Sequence, residues 1–125
     1  MSALGSPEWL AAAAAVTVPL PEACAITVTI EGSPVAKKVS WHELHTGDGV
    51  ELFEGTKRGS DLVLTAKWKD WTRLLDGEVS AAVHFMQGRL KAAGDDALWL
   101  RILPGLDAPD AVAARARLAE LTDRS

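Results

Sequence analysis

Gly77-Glu78-Val79-Ser80-Ala81-Ala82-Val83-His84-Phe85-Met86-Gln87-Gly88-Arg89-Leu90-Lys91-Ala92-Ala93-Gly94-Asp95 holds the chain's tightest combination of apolar bulk, breaker glycines and a short strand signal. Ser80 is placed to cap a helix in which Val79, Val83 and Met86 fall on one side with Phe85 flanking. Gly88 supplies the left-handed residue that stops such a helix. A strand from Arg89 to Ala93 follows at once and ends at Gly94. Asp95 or Asp96 then caps a second apolar helix, so two hydrophobic helices flank one short strand.

Working outward, the clearest strand is Cys24 to Glu31, where Cys24, Ile26, Val28 and Ile30 alternate with Ala25, Thr27, Thr29 and Glu31. That period of two is the mark of a sheet with one buried face. Gly32-Ser33-Pro34 turns the chain into a second strand from Val35 to Leu44, in which Val39 and Trp41 share a face opposite Ser40 and His42. The turn residues Thr46-Gly47-Asp48-Gly49 join it to a short strand from Val50 to Phe53 as a hairpin. After a polar loop from Glu54 to Ser60, a fourth strand runs from Asp61 to Ala66. A helix from Trp68 to Leu75 ends at Asp76-Gly77.

Upstream, Ser6-Pro7-Glu8 starts a helix from Pro7 to about Val16, and Thr17 to Glu22 forms an extended connector whose prolines deny backbone donors. Downstream, the spacing predicts a helix from Asp96 to Leu103, stopped by Pro104-Gly105. A last helix follows Asp107-Ala108-Pro109-Asp110, with Ala111, Ala114, Leu118 and Leu121 on one stripe. The expected fold class is α+β, a mixed sheet of about five strands covered by helices.

The 125 residues and 48% hydrophobic content fit one domain with a real core. A net charge of −4 argues against nucleic acid, whose phosphates require clustered Lys and Arg. The single cysteine, Cys24, excludes an internal disulfide and fits a reducing compartment. The apolar run from Trp9 to Val18 lacks the preceding positive charge of a signal peptide, and no run approaches the roughly 20 apolar residues of a membrane span. The expectation is a cytoplasmic protein that at most touches membranes transiently and that can form a homodimer.

The order and spacing of Gly77, Val79, Phe85, Met86, Gly88, Arg89, Leu90, Gly94 and Asp95 resemble the signature of the sterol carrier protein two domain. The signature runs Gly, an apolar residue, Asp or Asn, then Ala-Phe and an apolar residue, Gly, a basic residue, Leu, an apolar residue and Gly-Asp. The chain departs from it at Ser80, where an acid or amide is usual, at His84 in place of the small Ala, and at Ala92 in place of Val or Ile. Asp61-Leu62-Val63-Leu64-Thr65, Asp70-Trp71 and Leu74-Leu75 resemble the strand and helix upstream of the signature. The likeness covers roughly residues 23 to 103. Residues 1 to 22 form an N-terminal helix and linker, and residues 107 to 125 an additional C-terminal helix.

The resemblance implies a hydrophobic cavity or tunnel between sheet and helices that holds a sterol-like molecule, fatty acid or fatty acyl-CoA. It nominates Trp68, Trp71, Leu75, Val79, Val83, Phe85, Met86, Leu90, Leu98 and Ile102 as lining. It makes Gln87 and His84 the possible polar contacts. Such a site works by burial, at about 25 cal/mol for each Å² of lipid removed from water. The function so implied is non-catalytic binding, carriage or presentation of a lipid, with no cofactor. A partner-binding or regulatory module whose cavity is filled by its five tryptophans is the alternative. A third reading is an enzyme acting on a lipidic or polyketide substrate through His84 or Asp95.

His42-Glu43-Leu44-His45 looks superficially like a zinc protease box, but that box needs histidines four apart on a helix. Residues three apart in a strand point to opposite faces. Both are therefore expected as surface or edge-strand histidines.

Overall fold

The computed structural model describes residues 1–124. In chain order the elements are β1 (Ser2–Ala3), α1 (Pro7–Val16), β2 (Cys24–Glu31), β3 (Lys38–His45), β4 (Val50–Glu54), β5 (Leu62–Lys67), α2 (Trp68–Leu75), α3 (Ala81–Met86), β6 (Leu90–Gly94), α4 (Asp96–Leu106), α5 (Pro109–Leu121) and β7 (Thr122–Asp123). A five-stranded sheet has the order β4-β3-β2-β5-β6. It is mixed: β2 runs antiparallel to β3 and parallel to β5, and β5 runs antiparallel to β6. This is the α+β architecture expected from the sequence.

Register decides which face is buried. Val28 lies opposite Trp41 on one side and Leu64 on the other, and Leu64 in turn lies opposite Ala92. Ile26, Ile30, Leu62, Ala66 and Leu90 share that face and are buried, so the helices gather over it. Removing each of these Ile and Leu side chains from water stabilises the fold by about 1.5–3 kcal/mol. The opposite face is partly covered too. There the hydroxyl of Thr27 accepts a 3.2 Å bond from the Lys57 amide and lies 2.7 Å from the Ser60 hydroxyl, which buries Thr27 beneath the loop before β5.

The caps act as the sequence indicates. Ser6, Ser80 and Asp95 each accept a backbone N–H from the first turn of α1, α3 and α4. Gly88 takes a φ of 72°, the left-handed conformation that lets the chain leave α3 for β6.

Two expectations need correction. The helix predicted to stop at Leu103 continues to Leu106 with Pro104 inside it. A proline there removes one N–H from the ladder, and the carbonyl it would have served belongs to Leu100, an exposed residue. The Asp107 and Ala108 amides then close the end with bonds to the carbonyls of Pro104 and Gly105. The second strand starts at Lys38 rather than Val35, because the Ser33 hydroxyl accepts from the Val35 and Ala36 amides and holds them in a turn.

Sequence reading did not anticipate that β1 and β7 form a two-residue parallel pair. The pair places Thr122 beside α1, where its hydroxyl accepts a 2.9 Å bond from the Trp9 indole and donates to the Leu118 carbonyl. That bridge ties α5 to α1.

Candidate functional site

The elements above leave a cavity of about 350 Å³ between the inner face of the sheet and the helices. Its floor is Ile26, Val28, Ile30, Trp41, Leu52, Leu64, Ala66 and Leu90, contributed by all five strands of the sheet. Its roof comes from five helices, with Trp9 and Ala13 from α1, Trp71, Leu74 and Leu75 from α2, Ala81 from α3, Ile102 from α4, and Ala111, Ala114 and Leu118 from α5. Small residues on α1 and α5 face large ones on the sheet, which leaves the space unfilled.

Three tryptophans of the wall pack against one another. Trp9 and Trp41 meet edge to face with centroids 4.8 Å apart, and Trp71 lies 6.2 Å from Trp9 and 6.1 Å from Trp41. They pack with one another rather than across the whole space, so tryptophan narrows the cavity without closing it.

The polar features of the wall come from β3 and the α4–α5 corner. Trp41 Nε1 donates to Glu43 Oε2 at 3.0 Å, and His45 Nε2 lies 2.9 Å from Glu43 Oε1. The Leu20 amide donates to His45 Nδ1 at 3.1 Å. That nitrogen therefore carries no proton, and Nε2–H is the donor to Glu43. The connector carrying Leu20 is held by a pair of Arg101 bonds to Glu22, at 2.8 and 3.0 Å. At the corner, Arg115 donates to the Leu106 carbonyl and lies 3.7 Å from Asp107. Burial lowers the Arg115 pKa from its ordinary value, opposed by the Asp107 charge. Asp107 also accepts from the Ala81 and Ala82 amides and so holds the start of α3.

Of the residues nominated from the sequence, Trp71, Leu75, Leu90 and Ile102 are in the cavity wall. The others stand apart from it. Met86 and Val83 are exposed, at 83% and 42%, and Gln87 is exposed beside them. In α3 the inward positions are Ala81 and His84, three apart, which turns the Val83–Met86 stripe to solvent. Phe85 packs edge to face on Trp99 at 5.3 Å, and Leu98 is buried on α4 outside the wall. Trp68 stacks at a tilt against Trp71, 5.6 Å away, as a second layer behind it. Val79 precedes α3 and is not among the wall residues.

His84 is buried with its Nε2 2.7 Å from the Asp70 carbonyl, so its place is between α3 and α2. Asp95 is occupied as the α4 cap.

His42 and His45 do point to opposite faces, as strand geometry requires, but the surface or edge expectation fails for His45. β3 lies between β4 and β2, and His45 is buried on the inner face while His42 stacks on Phe53 on the outer one. Among the described residues no group of three metal-ligating side chains gathers. Among the described residues no helix is long and apolar enough to cross a membrane.

Sequence reasoning missed Glu43, His45, the connector and the α1 and α5 contributions. A signal for the first two was present, since Glu43 and His45 share the parity of Val39 and Trp41 in the strand.

No family model and no curated protein matches the sequence. Solved structures do. A conserved hypothetical protein from Thermus thermophilus, described as possibly a sterol carrier protein, is 20% identical over 99% of this chain and 96% of its own, with a TM-score of 0.64. Palmitated SCP2L2 from Aedes aegypti is 14% identical over 81% of this chain and 89% of its own, with a TM-score of 0.62. A crystal structure of sterol carrier protein 2 is 21% identical over 94% of this chain and 98% of its own, with a TM-score of 0.60. With the same mixed sheet and helical cover as these structures, the chain has the sterol carrier protein 2 fold.

Proposed function

We propose that the protein is a cytoplasmic, non-catalytic carrier that binds the apolar part of a lipid in the cavity between sheet and helices. The observation that carries this reading is the cavity itself, about 350 Å³ and walled almost entirely by aliphatic and aromatic side chains. That volume is at the lower end of small-molecule sites, which suits a single acyl-type chain. The palmitated SCP2L2 with the same fold gives the reading external support.

The site calls for burial rather than chemistry. Both nitrogens of His45 are engaged, Asp95 caps α4, and His84 lies outside the cavity wall with its Nε2 on the Asp70 carbonyl and its Nδ1 buried without a partner. Those commitments count against the enzymatic alternative, and the unfilled space counts against a partner-binding module plugged by tryptophan. Exchange would occur by movement of α5, which has no fully buried residue and covers the cavity with Ala111, Ala114 and Leu118.

The test is uptake of the uncharged methyl ester of cis-parinaric acid by delipidated protein, read by energy transfer from the wall tryptophans. Saturable binding at micromolar concentration is expected, and Ala114→Trp, which fills the cavity from α5, should weaken it at least tenfold. A folded, delipidated sample that takes up no probe overturns the reading.

A further inference from the structure

Three charged side chains reach the wall of this apolar cavity: Glu43, Asp110 and Arg115. Their circumstances differ. Arg115 faces the Leu106 carbonyl and the Asp107 carboxylate, although its buried Nε has no partner, and Asp110 accepts from the Ala111 amide. Among the described residues no Lys or Arg pairs with Glu43. Its two partners are the indole N–H of Trp41 and the Nε2–H of a His45 ring whose other nitrogen accepts from the Leu20 amide. Both are neutral donors, and each occupies one carboxylate oxygen.

A carboxylate has about four acceptor positions, so Glu43 keeps roughly two free. Its side chain retains 18% of its accessible surface, whereas that of His45 retains 2%. The Trp41 and His45 bonds fix the carboxylate within the inner face of β3, and Leu52, its neighbour across the β3–β4 pair, also lines the wall. A rigid, negatively charged acceptor in an apolar wall favours a ligand group that brings a hydrogen and repels one that brings negative charge. A lipid carboxylate would set two like charges together in a poorly screened space.

We infer that Glu43 is a polar anchor that selects lipids with an uncharged, hydrogen-donating end, a hydroxyl or an amide N–H, over fatty acid anions. Trp41 and His45 are positioning residues that hold the carboxylate in place. The inference rests on the cavity being the lipid site and adds the chemistry of the polar end.

Two probes with the same chain length separate the two ideas. 1-Decanol and decanoate are titrated at pH 7.5 into delipidated wild-type protein and into Glu43→Gln, with quenching of tryptophan fluorescence as the readout and far-ultraviolet circular dichroism confirming the fold. Wild type is expected to bind decanol about tenfold more tightly than decanoate, the effect of one hydrogen bond to a charged group. Glu43→Gln, which removes the charge and offers an N–H, should reduce that preference to near parity by strengthening decanoate binding and weakening decanol binding. Decanoate bound as tightly as decanol by wild type overturns the inference while leaving the carrier reading intact. So does a folded Glu43→Gln that keeps the full wild-type preference. Binding of neither probe overturns the carrier reading and the inference with it. If Glu43→Gln does not fold, Glu43→Leu takes its place, and a Leu variant that keeps the full wild-type preference overturns the inference, because desolvation of the decanoate carboxylate alone then accounts for the ranking.

Discussion

Cys24 opens β2 on the inward face of the sheet, and burial there raises its thiol pKa above the ordinary value, with the Asp61, Glu22 and Glu43 charges adding to the effect. The neutral thiol is the form the fold prefers. In the unfolded chain the thiol ionises first as pH rises through about 8.5, so its contribution to stability is full below that pH and is lost as the pH climbs through the higher folded value. Iodoacetamide should therefore alkylate native Cys24 more slowly than a free thiol at pH 8 and accelerate only at higher pH, which mass spectrometry of timed samples would follow. Labelling at the rate of the urea-unfolded chain would contradict this. The same strand face explains what a reading of Glu43 and His45 needs. Their parity with Trp41 is visible in the sequence, but polar residues at inward positions are not credited with burial until their partners, here each other, Trp41 and the Leu20 amide, are known.

Among the elements, α3 shows where pattern reading reaches its limit. The spacing of Val79, Val83 and Met86 marks one stripe correctly, yet the helix buries the opposite one through Ala81 and His84. Six residues make less than two turns, too few for hydrophobicity to fix which side faces in. The backbone contacts decide it, through the Asp107 bonds to the α3 amides and the His84 bond to Asp70. Element positions were far more legible. The alternation in β2 and the breaker residues around α2, α3 and β6 place them to within a residue or two. The end of β6 shows why glycine is needed there. Gly94 has a φ of 124°, and a Cβ on it would run into the Asp61 carbonyl oxygen, whose bond to the Asp95 amide joins the starts of β5 and α4. Gly94→Ala is expected to destabilise the protein by about 2 kcal/mol or more, combining backbone strain with a displaced contact, as measured by urea denaturation. A change below about 0.5 kcal/mol would show that β6 can move aside.

At the scale of the molecule, a mixed sheet of about five strands with helical cover was expected from the sequence and a cavity from the resemblance, whereas the strand order and most of the cavity wall were not. That wall draws on α1, the connector and α5, segments that lie outside the signature stretch on both sides of it and are brought over the sheet in part by the β1–β7 pair. Alanines at 13, 111 and 114 read as ordinary helix formers until large side chains are placed across from them. A void is also a mechanical property. Because the space inside the fold vanishes when the chain unfolds, unfolding should shrink the system, and hydrostatic pressure should drive it. The expected volume change lies toward the large end of the usual range, about −20 to −100 mL/mol, and should become smaller in magnitude when a lipid chain or the Ala114→Trp side chain occupies the space. Tryptophan emission recorded under increasing pressure measures that change, and equal values for the empty and filled forms would mean that the void contributes nothing to it. Compressed from outside, the fold with its cavity empty should be softer than the same fold with the cavity filled.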